Sequence, residues 1–162
     1  MTAATAGTSV QRSIVVDASI EHAFKVFTED MGAWWDPSHH LIDDFKEMTV
    51  EPRVGGRIID HAHDGSTCAW ARVLVYEPPE RFTFSWDISL AWQLETDPAR
   101  SSEVEVRFFR EEPHRTRVEL EHKHLDRHGD GWEAMRDAVG SPNGWNLTHY
   151  AEVAASTAAA ER

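Results

Sequence analysis

Two His-x-His pairs, His61 with His63 and His122 with His124, are the residues whose spacing first suggests chemistry. On a strand the side chains at i and i+2 project from one face, and two imidazoles on one face are a ligand pair for zinc or copper. The second pair falls in TRVELEHKHL, where strand parity groups His122 and His124 with Val118 and Leu120 on the inward side. A neutral imidazole there needs a hydrogen-bond partner. It can orient a ligand or act as a general base near neutral pH; a satisfied core histidine is the plainer account. The first pair adjoins the Asp64-Gly65 turn signal and is expected to be exposed, and nothing in the spacing brings the two pairs together, so no metal site is expected. His128, in LDRHGDG, reads as a surface or turn residue.

Seven tryptophans are the second signal: Trp34, Trp35, Trp70, Trp86, Trp92, Trp132 and Trp145. Large rings carrying one polar N–H suit an apolar pocket that also orients its ligand, although core packing is the plainer account of any one of them. Trp34 and Trp35 stand side by side between Gly32 and an Asp36-Pro37 turn signal. Adjacent residues do not point the same way, so one ring is expected in the core and the other at a pocket or a partner. Two cations add to the list, Arg57 after the Gly55-Gly56 pair and Arg72 alternating with Trp70 and Leu74. Each pairs with a carboxylate of protein or ligand if inward, or closes a salt bridge at the sheet edge. There is no Ser-His-Asp order, Walker loop or dinucleotide fingerprint, and VGGR lacks the following helix of a phosphate loop. No catalytic residue and no cofactor is therefore assigned, and the glycine pair reads as a bulge or bend that lets a sheet curl.

The elements that must position these residues are those of one domain. A chain of 162 residues can bury one good core. Its 28 acidic residues against 16 Lys plus Arg leave a net charge of -12, which repels phosphate backbones and anionic lipid, so neither nucleic acid nor membrane is expected as a partner. The single cysteine, Cys68, allows no intrachain disulfide, and no signal peptide or membrane span is visible; a cytoplasmic location is the simplest expectation. Residues 1–10, small and polar, are expected to be a flexible N-terminus, with residues 11–162 forming the domain.

RSIVV predicts a strand, and Ser19 caps a short helix carrying Ile20, Ala23, Phe24 and Phe27, with a second helical turn at the tryptophan pair. From Phe45 to His124 the pattern alternates, with turn signals at Pro52, Asp64-Gly65 and Pro78-Pro79. In RFTFSWDI, Phe82, Phe84 and Trp86 share one face and Arg81, Thr83, Ser85 and Asp87 the other; SEVEVRFFR turns Val104, Val106 and Phe108 inward. Such alternation predicts an antiparallel sheet with one wet face. The last third predicts a helix around Trp132, Met135 and Val139, and a C-terminal helix of about four turns from Gly144 to Ala160. One apolar sheet face and one long helix pack most economically with the sheet curved around the helix.

In order and spacing, VVDASIEHAFKVFTEDMGAWW, EPRVGGRI, the DG hairpin with WARVLVYEPPERFTFSW, EVEVRFF with TRVELEH, and GWNLTHYAEVA resemble the SRPBCC superfamily of START, polyketide cyclase and Bet-v-like proteins. The resemblance is to the branch named for activators of the heat-shock chaperone ATPase, and it spans Ser13 to Ala155. It implies an α+β helix-grip fold: a seven-stranded antiparallel sheet wrapped around the last helix, two short helices after the first strand, and a cavity between sheet and helix. It also implies that one of Trp34 and Trp35 lies near the cavity mouth, Trp86 on the concave sheet and Trp145 on the covering helix. The expected function is binding of a small, mostly apolar molecule by Trp34, Trp35, Trp70, Phe84, Trp86, His122, Trp145 and Tyr150. A cyclase- or hydrolase-like enzyme and a chaperone-assisting interaction module are the alternatives. A homodimer is compatible with all three.

Overall fold

The computed structural model describes residues 7–36 and 38–161. Residues 1–6 of the expected flexible N-terminus, and Pro37 of the expected turn, lie outside the described residues. Val10, the last residue of that expected flexible segment, already opens β1 (Val10–Val16), where it pairs with His122. In α1 (Ile20–Thr28) the Ser19 hydroxyl accepts from the His22 N–H, satisfying one free donor of the first turn. A single turn, α2 (Met31–Trp34), follows. Then come β2 (Phe45–Val50), β3 (Arg57–Ala62), β4 (Thr67–Glu77), β5 (Arg81–Trp86), β6 (Ser102–Glu112) and β7 (Arg115–Lys123), and last α3 (Trp132–Val139) and α4 (Thr148–Glu161).

The seven strands form one sheet in the order β1-β7-β6-β5-β4-β3-β2, every pair antiparallel. It curls into a half-barrel around the C-terminal helix, with α1 and α2 after the first strand: an α+β helix-grip fold. Phe82, Phe84 and Trp86 of β5, Val104, Val106 and Phe108 of β6, and Val118, Leu120 and His122 of β7 are buried on the concave side. Register stacks them, with Val104 opposite His122, Val106 opposite Leu120 and Phe108 opposite Val118. From α4 come Tyr150, Ala154 and Ala158, four residues apart and buried; that spacing keeps them on one helix face.

Four local expectations change. The outer face is not uniformly wet: Asp87 and Glu105 are buried there, Asp87 beneath Arg72 and Glu105 among Arg81, Arg107 and Lys123. The glycine pair makes a turn before β3, with Gly55 at a φ of 85°, and a Cβ on Gly56 would stand 2.6 Å from the Glu51 carbonyl oxygen. The bulge lies instead in β4, where Ile58 pairs with Ala71 and Ile59 with Ala69, leaving Trp70 as the extra residue. That extra residue resets the alternation, so Arg72 points outward to Asp87 while Trp70 points inward. Finally, β7 ends at Lys123 and His124 takes a left-handed φ of 61°, so the alternation that would pair it with His122 stops there.

Candidate functional site

The two neighbouring tryptophans part company at the end of α2. Trp34 is buried, donates from Nε1 to the Val26 carbonyl at 3.0 Å, and packs on Phe27 and Tyr150. Trp35 follows in extended conformation, its half-buried ring packing on the outer side of that core with its centroid 5.7 Å from that of Trp34, and its Nε1–H donates to the His39 carbonyl at 2.9 Å. Its ring centroid lies 5.2 Å from that of Trp70, 5.6 Å from Trp145 and 6.4 Å from Trp86. These four indoles stand on the wall of a cleft of about 840 Å³, bounded by residues 34–36 and 38–41, residues 138–139 and 141–146, and the start of α4.

Each ring is held by a separate device. Trp86 comes from the regular inward alternation of β5. Trp70 is aimed by the β4 bulge, and Arg57 steadies that bulge by donating from Nε to the Ala71 carbonyl at 3.3 Å and from Nη2 to the Ala69 carbonyl at 3.2 Å. Arg57 is thus neither a ligand-facing cation nor an edge salt bridge, and serves two backbone acceptors. Trp145 lies in the loop before α4, not on the helix. Arg12 of β1 anchors this loop, donating to the Gly140 carbonyl at 2.6 Å and to the Trp145 carbonyl at 3.3 Å.

The cleft also holds polar groups that sequence reasoning missed. Asp60 of β3 is buried, and its carboxylate accepts from His40 Nδ1 at 2.8 Å and from Trp70 Nε1 at 3.3 Å. The His40 ring stacks on Phe45 with centroids 3.5 Å apart and planes within 13°. Among the described residues, His40 Nε2 and Trp86 Nε1 are buried without a protein hydrogen-bond partner, and both residues line the cleft. Parity held the clue to Asp60, which alternates inward with Ile58 and Ala62. His40 sits in an irregular loop, where no periodicity signals burial.

Of the eight expected ligand residues, Trp34, Trp35, Trp70, Trp86 and Trp145 line the cleft. Phe84, His122 and Tyr150 are buried behind it. Tyr150 donates its hydroxyl to the Ala23 carbonyl at 2.7 Å, and burial pushes that hydroxyl well above the usual range. His122 is closed on both sides, because Trp145 Nε1–H donates to its Nδ1 at 3.0 Å and Ser102 Oγ lies 2.7 Å from its Nε2. Indole can only donate, so Nδ1 accepts and Nε2–H donates to Ser102. Ser102 then donates to His128 Nε2 at 2.8 Å. His128 is therefore a buried member of this chain, not the surface residue its Gly-rich loop suggests; the loop folds back over the sheet. Burial, with His128 nearby, pushes His122 down to about 3, and burial lowers His128 as well. Among the described residues no group of three or more His, Cys, Asp or Glu could hold a metal, and no helix is long and apolar enough to cross a membrane. His61 and His63 stand apart near the hairpin turn, with His61 bonded to Thr49.

No curated protein sequence matches the chain. Among solved structures it is similar to the anthrahydroquino-gamma-pyrone synthase Txn09, at 41% identity over 90% of this chain and 96% of that one, with a TM-score of 0.65. It is also similar to CalC, a self-sacrificing resistance protein from Micromonospora echinospora, at 25% identity over 95% and 96% of the two chains, TM-score 0.60. An Hsp90 activator from Plasmodium falciparum shares the fold at 20% identity, 91% and 95% coverage and TM-score 0.55. The family model described as activator of Hsp90 ATPase homolog 1-like protein matches residues 17–154. The chain belongs to the family of activator of Hsp90 ATPase homolog 1-like proteins, within the SRPBCC superfamily.

Proposed function

We propose that the protein binds a flat, polycyclic aromatic small molecule in the tryptophan-lined cleft. The observation that carries this reading is the convergence of Trp35, Trp70, Trp86 and Trp145, from four separate segments, on one cleft. Its volume of about 840 Å³ falls within the roughly 300–1,000 Å³ of small-molecule sites. Each aromatic contact with a bound ring system contributes about 0.5–1.5 kcal/mol beyond the area it buries. Trp86 Nε1–H, buried without a partner, supplies a donor to a ligand oxygen. A small-molecule partner fits this cleft better than a chaperone does. The pair at its rim is not a double exposed anchor, since Trp34 is core and Trp35 is tied to His39.

A second reading, that the bound molecule reacts in the cleft as in a cyclase, is favoured by the 41% identity to a protein named as an anthrahydroquino-gamma-pyrone synthase. Native mass spectrometry of the protein purified from its producing cells, followed by fluorescence titration with 2-hydroxyanthraquinone and with palmitate, tests the binding reading. The expected result is saturable 1:1 quenching by the planar aromatic. Saturable binding of palmitate alone would overturn the aromatic assignment, and binding of neither would overturn a ligand site of this kind.

A further inference from the structure

We propose that His40, backed by Asp60, is the proton acceptor of the cleft, taking the proton of a phenolic or enolic hydroxyl on the bound aromatic molecule. The proposal rests on the binding reading above and adds a chemical role to it. The Asp60 carboxylate can only accept, so His40 Nδ1, 2.8 Å from Oδ2, carries the hydrogen. The neutral ring then has its lone pair on Nε2, the nitrogen that is buried, without a protein partner and on a residue of the cleft wall. Side-chain exposure is 4% for His40 and 2% for Asp60, so this pair is shielded from bulk water. A carboxylate behind an imidazole fixes its tautomer and stabilises the imidazolium that forms.

Two further contacts hold the pair in place. Trp70 Nε1–H bonds the second Asp60 oxygen, and Phe45 stacks on the His40 ring. The other titratable groups on the cleft wall are Asp36, His39, His149 and Glu152, all well exposed at the rim. Asp36 is held below the usual carboxylate range by hydrogen bonds from Ser38, which makes it a weak base. In the step itself the ligand O–H bond breaks, its electron pair stays on oxygen, and the proton forms an N–H bond at His40 Nε2. The imidazolium lies beside the Asp60 carboxylate and the ligand oxyanion, and the proton returns to that same oxygen before release.

The test uses the full chain with 2-hydroxyanthraquinone, whose phenolate absorbs at longer wavelength than its phenol. In the wild type the bound probe is expected to ionise at a pH at least one unit lower than in His40→Ala and His40→Gln. His40→Gln keeps a donor toward Asp60 and guards against loss of fold, and Asp60→Asn is expected to lose most of the shift. Tryptophan quenching is read separately in each variant. Equal ionisation with retained quenching overturns the proton acceptor while leaving the binding reading intact. Absence of quenching in the wild type sinks the binding reading, and the acceptor then stands or falls on the His40 tautomer, read by long-range proton–nitrogen NMR in the unliganded protein. The Nδ1–H tautomer supports it and the Nε2–H tautomer overturns it.

Discussion

Acid should loosen this protein well before its carboxylates protonate, and His122 is the reason. In the folded chain His122 is fully buried, accepts from Trp145 at Nδ1 and faces Ser102 at Nε2, and its pKa is pushed down to about 3. Protonation would set a second N–H against the indole N–H, donor to donor. In the unfolded chain the same imidazole takes up its proton near pH 6.5. Between these values the unfolded state binds more protons, so the stability contributed by the neutral ring is complete above about 6.5 and is lost as pH falls toward 3. Each pH unit in that window costs about 1.4 kcal/mol, or about 2 kcal/mol at pH 5 relative to pH 8. His128, also lowered by burial, pulls in the same direction. The carboxylates held low titrate at more acid pH: Asp36 and Asp64 through hydrogen bonds from serines, and Glu105 because Lys123, Arg107 and Arg81 outweigh the upward push of burial. Urea unfolding followed by tryptophan fluorescence from pH 8 to pH 4.5, on wild type and His122→Gln, isolates the effect. The wild type should lose about 2 kcal/mol more than the variant by pH 5. Profiles that run parallel within about 0.5 kcal/mol would refute the neutral, doubly bonded imidazole.

The adjacent tryptophans should separate cleanly on substitution. Trp34→Ala should cost about 3–5 kcal/mol of unfolding free energy, as for other buried aromatics, because its ring fills the space between Phe27 and Tyr150. Trp35→Ala should cost less in urea unfolding yet weaken binding of 2-hydroxyanthraquinone at least tenfold by fluorescence titration. Arg57→Ala should lower stability by about 1–3 kcal/mol through loss of its two hydrogen bonds to the bulge carbonyls. It should also weaken the same probe, although Arg57 does not line the cleft; unchanged affinity would separate the bulge from the aim of Trp70.

Much of this was legible in the chain because the sheet is regular where its core is thickest. Phe82, Phe84 and Trp86 against Val104, Val106 and Phe108 announce their inward face through a period of two, and Ser19 announces the start of α1. What periodicity could not show is what breaks it. Trp70 and Arg72 read as one face until the extra residue at Trp70 shifts the register. His124 reads as inward until its left-handed backbone ends the strand. His128 ends a single 3-10 turn and His40 lies in an irregular loop, and the burial of each depends on contacts far along the chain, with Ser102 and Asp60 respectively. The site was visible as a set of tryptophans, while its polar half depended on tertiary packing that local pattern does not encode.

The central claim, that the tryptophan cleft takes a flat aromatic molecule, is tested most directly by the indole N–H signals of nitrogen-15-labelled protein during titration with 2-hydroxyanthraquinone. Saturable shifts are expected for Trp35, Trp70, Trp86 and Trp145, the largest for Trp86, whose Nε1–H has no protein partner. Trp132, off the cleft and beneath the Arg136 guanidinium, should stay in place. Shifts confined to Trp132, or no saturable shift among Trp35, Trp70, Trp86 and Trp145, would contradict the account.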